Sequence, residues 1–156
     1  NVNILPTTTE SIDVGSSVLK FRNMYASGEF FGLATTAKYA DLAEKYTTDE
    51  EYSIGTVMMV STSNKFETEA CSEGGCAIGV ISENPAFKMN ADTEGQYIGL
   101  KGRLPIRIVG EVTKGSRIFT SSSGVARAEG RGMLVGVALE SNSNPEEKLV
   151  ECVLKV

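Results

Sequence analysis

Hydrophobic and polar residues alternate with a period of two over much of this chain. Leu104, Ile106 and Ile108 are spaced by Arg103, Pro105 and Arg107, and Val150, Cys152, Leu154 and Val156 by Glu151, Val153 and Lys155. That alternation sets one face of a strand in a core and the other in water. Runs rich in Val and Ile at 55–61, 77–82, 97–100, 103–112, 117–120, 124–126, 133–139 and 148–156 predict successive strands. Turn signals separate them, at 114–116, 121–124 and 142–145 among other places. They recur about every ten residues, the spacing of an all-β sandwich or barrel. Gly79, Gly99, Gly110 and Gly136 interrupt apolar runs and predict bulges or tight corners. Pro105 has no N–H, which puts its strand at an edge, at its first residues or at a bulge.

One stretch breaks the pattern. In residues 38–46, Tyr39, Leu42, Ala43 and Tyr46 share one side at helical spacing, while Asp41, Glu44 and Lys45 turn to the other. This predicts a short helix acting as a hinge. Ahead of it, 12–17 and 21–32 are β-prone runs broken by Gly and Ser, too short to cover Phe21, Tyr25, Phe30 and Phe31. Those rings need either the later domain or other copies of the chain. The expected fold class is all-β, with a thin β lead-in at 1–37, one short helix in a hinge at 38–51, and a compact barrel or sandwich-like domain at 52–156.

Composition narrows the function. The chain has 156 residues, 41% hydrophobic and 22% charged, which suits one globular domain with an appendage. A net charge of −5 argues against a nucleic-acid partner. No run reaches the ~20 apolar residues of a membrane span, and 1–6 lack the features of a signal peptide, so the expectation is a soluble chain without membrane insertion. Its first residue is Asn, as in a fragment or a processed product. Acidic Asp41, Glu44, Asp49, Glu50 and Glu51 precede basic Lys101, Arg103, Arg107, Lys114 and Arg117. These read as solvated faces, or as patches that meet across subunits.

There is no histidine, and there are three cysteines. A Cys-His zinc set, a Ser-His-Asp triad and a Cys-His dyad are all ruled out. No phosphate-binding glycine motif lies between a strand and a helix, so no cofactor or metal is expected. Cys71 and Cys76 enclose Ser-Glu-Gly-Gly and either close as a hairpin disulfide in an oxidising setting or stay reduced. Cys152 reads as a small buried hydrophobe.

The ordered series 13–17 (Asp-Val-Gly-Ser-Ser), 21–26 (Phe-Arg-Asn-Met-Tyr-Ala) and 28–46 (Gly-Glu-Phe-Phe-Gly through Lys-Tyr) resembles the C-terminal region of tailed-phage fibre and appendage proteins. Segments 78–86 (Ile-Gly-Val-Ile-Ser-Glu-Asn-Pro-Ala) and 100–106 are similar to parts of the same terminal domains. The resemblance implies a homotrimeric structural component of a virion, a tail fibre, neck or other appendage, assembled in the host cytoplasm. Its implied partners are itself, other virion proteins and a host surface receptor. Expected inter-subunit residues are Phe21, Tyr25, Phe30, Phe31, Arg103, Arg107 and Glu111, with the acids of 41–51. No enzymatic activity is expected under this reading.

Three alternatives remain open. Asp41 and Glu44, three apart on a helix, would be neighbours able to share a proton and form an acid and base pair. Asp41-Leu42-Ala43-Glu44-Lys45-Tyr46 is similar in spacing to the element at which the autoproteolytic chaperone domain of phage neck-appendage proteins cuts itself away. By that resemblance the bond between Ala40 and Asp41 would be cut once, with Ala40 standing where a serine would otherwise serve. The structural reading has Asp41 capping the helix and Glu44 paired with Lys45 or an arginine. The other two alternatives are a receptor- or glycan-binding tip using Tyr52 or Tyr97, and a capsid or tube decoration protein.

Overall fold

A computed structural model describes residues 7–9, 13–25, 27 and 40–156. It divides into two compact units, 1–35 and 36–156. The described residues of the first unit form bends rather than strands. A turn closes on Ser16, whose Oγ accepts the Leu19 N–H at 2.9 Å while its own N–H bonds the Leu19 carbonyl at 2.8 Å. Val14, Val18, Leu19, Phe21, Met24 and Tyr25 are all exposed, Tyr25 to 90%.

The second unit holds ten strands, and no helix occurs among the described residues. They are β1 (Asp41–Tyr46), β2 (Val57–Val60), β3 (Thr68–Ala70), β4 (Ala77–Ile81), β5 (Phe87–Met89), β6 (Gln96–Ile108), β7 (Arg117–Thr120), β8 (Ala126–Arg127), β9 (Leu134–Ala138) and β10 (Lys148–Leu154). The predicted helix at the hinge is therefore corrected: residues 41–46 are a strand, and Lys38 and Tyr39 lie outside the described residues. β1 runs antiparallel to the first half of β6 and parallel to β5, so pairing on both sides overrides an amphipathic helical spacing.

β6 organises the unit. The predicted run at 97–100 and the 103–108 part of the run at 103–112 fuse into this 13-residue strand, which stops at Ile108. Its second half pairs with β10, and β10, β9, β7 and β8 follow in order until β8 returns to β6 at Ile108, which closes a five-stranded barrel. Its first half lies between β1 and β4 in a sheet ordered β5-β1-β6-β4-β2-β3. That sheet curls until a bridge from Thr48 to Thr68 joins its β1 and β3 sides.

Each half has its own core. Leu104, Ile106, Ile108, Ile118, Val150 and Leu154 fill the barrel, and the alternation read in β6 and β10 points these side chains inward. Met58, Ile81 and Ile98 form the other, packed by Tyr46, Tyr52 and Leu100. β2 serves both: Val57 joins the barrel cluster and Met58 the smaller one, which is why Val-Met-Met-Val shows no polar alternation. Closely packed backbones explain two of the glycines. A Cβ on Gly79 would lie 2.4 Å from the Gly99 carbonyl oxygen, and one on Gly136 would lie 2.7 Å from that of Val153.

Pro105 occupies the middle of β6 opposite Glu151. The N–H groups of Arg103 and Arg107, two residues to either side, bond the carbonyls of Ala40 and Gly55 rather than β10. By the strand's period, the N–H that Pro105 lacks would point into the gap between those two carbonyls. The proline thus sits at a local edge inside a long strand.

Candidate functional site

That gap opens into a cleft of about 250 Å³ lined by Ala40, Asp41, Ser82, Arg103, Pro105 and Glu151, among others. Asp41 is the first residue of β1 and only 5% exposed. Its carboxylate Oδ2 accepts the Ser82 hydroxyl at 2.6 Å, within the range of an O–H bond to a charged acceptor. Its carbonyl accepts the Ala86 N–H at 2.9 Å, and the preceding carbonyl, of Ala40, accepts the Arg103 N–H at 3.1 Å. Gly102 makes the second contact possible. Its φ is +117°, and a Cβ there would fall 2.1 Å from the Ala40 oxygen.

Glu44 does not join this site. On a strand, residues three apart face opposite sides and are separated by ~10 Å along the chain. Asp41 and Ala43 are buried, whereas Glu44 turns to the other face with Leu42. The expected carboxylate pair is therefore not formed by adjacency within one chain. Glu44 instead accepts the Tyr46 hydroxyl at 2.8 Å. Burial first, and that bond to a carboxylate second, push the Tyr46 pKa up to about 12.

The other predicted residues have varied surroundings. Arg103 Nε pairs with Glu151 at 3.1 Å on the rim of the cleft. Arg107 Nη2 pairs with Glu147 at 2.6 Å, and its Nη1 donates to Thr56 Oγ1 at 2.9 Å. Glu111 lines a different opening, of about 480 Å³, with Arg127 and Pro145. Phe21 and Tyr25 are exposed on the first unit, and Phe30 and Phe31 lie outside the described residues. The Tyr52 hydroxyl donates to Asp49 at 2.7 Å and accepts the Ala70 N–H at 3.2 Å, and burial raises its pKa to about 12. The ammonium groups of Lys45 and Lys88 lie 5.6 Å and 5.3 Å from the centre of the Tyr97 ring. Cys71, Cys76 and Cys152 are free thiols.

Ser82 is the functional candidate that sequence reasoning missed. It lies within residues 78–86, yet nothing in its local spacing marks it as the partner of an aspartate 41 positions earlier.

No protein-family model matches the sequence, and a search of curated proteins finds no match. Solved structures do match. The C-terminal fragment of gene product 12 of bacteriophage phi29 aligns with a TM-score of 0.55 at 17% identity, over 74% of this chain and 100% of that one. The pre-mature form of the same gene product aligns with a TM-score of 0.60 at 16% identity, over 81% of this chain. The fold is related to that of this bacteriophage gene product. At these identities the likeness to phi29 gene product 12 is one of fold. The match spans 23% of the length of the pre-mature gene product 12.

Proposed function

We propose that this chain is a terminal part of a phage appendage, assembled as a homotrimer in the virion. The fold shared with phi29 gene product 12 supports an appendage or chaperone-like domain. The observation that carries trimerisation is the exposed series Val14, Val18, Leu19, Phe21, Met24 and Tyr25. Exposed apolar surface on this scale marks an interaction site, and its burial contributes about 25 cal/mol per Å². Identical chains in closed symmetry supply matching surfaces to one another. Native mass spectrometry at micromolar concentration should find three copies of the 16.7 kDa chain. A stable monomer under those conditions overturns the reading.

A second reading is favoured by the cleft: a domain that hydrolyses its own Ala40–Asp41 bond once. The carbonyl oxygen that would gain charge already accepts a backbone N–H, from Arg103, and a buried carboxylate adjoins the same peptide. Water would add to the Ala40 carbonyl carbon, the C–N bond would break, and the Asp41 nitrogen would leave with a proton. Intact-mass measurement should show a product of residues 41–156 accumulating from the full chain, and none from D41N. A wild-type chain still whole after days at neutral pH removes this reading.

A further inference from the structure

We propose that Ser82 is a positioning residue of this site; the inference rests on the self-cleavage reading. Asp41 is nearly enclosed, and among the described residues no lysine or arginine forms an ion pair with it. A buried carboxylate without a cation depends on hydrogen bonds to hold one orientation. Ser82 supplies the one side-chain donor among the described residues, to Oδ2. The serine is itself fixed, because its N–H bonds the Tyr97 carbonyl at 2.9 Å. Beneath the carboxylate lies Gly99, where a Cβ would come 3.3 Å from the same Oδ2, so a larger residue would crowd it.

The result is a carboxylate tied by one oxygen, with Oδ1 left to take a proton. The backbone on both sides is pinned, at the Ala40 carbonyl by Arg103 and at the Asp41 carbonyl by Ala86. Pro105 lines the cleft without presenting an N–H that would compete for the carboxylate. In the hydrolytic step, water bonds to the Ala40 carbonyl carbon and gives its proton to Asp41. The proton passes to the departing Asp41 nitrogen as the C–N bond breaks. The new acid group on Ala40 passes its remaining proton to the amine, so the products are a carboxylate on Ala40 and an ammonium on Asp41, with the Asp41 side chain restored. Ser82 neither gains nor loses an atom in this sequence.

Full-length chain made by cell-free translation gives a defined starting time for cleavage, read by intact mass. S82A and S82V should slow cleavage by about 10- to 100-fold, the effect of one hydrogen bond to a charged group. S82T, which restores the hydroxyl on the shape of valine, should cleave within a few-fold of wild type. Thermal midpoints of S82T and S82V serve as the fold control. If S82V cleaves as fast as S82T, the positioning role falls while self-cleavage stands. If neither wild type nor S82T is cut, self-cleavage falls and the role of Ser82 in it falls too.

Discussion

At the scale of single residues, the three thiols should react very differently. Cys71 and Cys152 are 1% and 0% exposed, and Cys76 lies open to solvent. Burial pushes the Cys71 thiol up to about 11, with the neighbouring Cys76 adding to the effect, and burial pushes Cys152 up to about 12. The thiolate is the reactive form, so a maleimide at pH 8 should modify one cysteine quickly and the other two only on unfolding. Fast modification of two or three thiols in the folded chain would contradict this. The same shifts couple stability to pH. Above the unfolded thiol value of 9.0 the unfolded chain releases protons that the folded chain still holds, so stability is full below that pH and is lost as pH rises through 11 and 12. Tyr46 and Tyr52 act in the same direction from 10.0 upward. The thermal midpoint should fall above pH 9, and less steeply in C152V. Equal slopes would show that Cys152 titrates freely.

At the scale of elements, β1 shows what local spacing cannot decide. Tyr39, Leu42, Ala43 and Tyr46 satisfy a helical stripe, yet in six residues the order Asp41 in, Leu42 out, Ala43 in satisfies a strand equally well. The deciding feature lies some fifty to sixty residues downstream, where Gly95 just ahead of β6 and Gly99 and Gly102 within it leave room for β1 to lie close. The prediction belongs to that contact. G102A places a Cβ against the Ala40 oxygen at a φ of +117° and should destabilise the domain by about 1–3 kcal/mol in denaturant melts. G110A, at a φ of +86° but with open space around it, is the comparison and should lose less. A smaller loss for G102A than for G110A would mean that the close approach is unimportant. β3 and β5 escaped notice for a different reason: at three residues each, they are too short to show a period. β6 and β10 were legible because their wet and buried faces alternate over six residues or more.

At the scale of the whole molecule, an all-β domain with strands near the predicted runs could be read from turn spacing. Closure of the barrel could not, because it depends on pairing β10 with β6, whose partners Cys152 and Leu104 are far apart in the chain. The site was half legible. The motif around Asp41 is visible in the sequence, but helical spacing points to Glu44 as its partner, and the strand places Ser82 there instead. Among the described residues of the 36–156 unit, every ladder begins at Asp41 or later. A nick just ahead of it would part the Ala40 carbonyl, held by Arg103, from Asp41 and leave the ten strands among the described residues with their neighbours. The liberated portion would stay folded, carrying a new amino terminus at the lip of the crevice that made it.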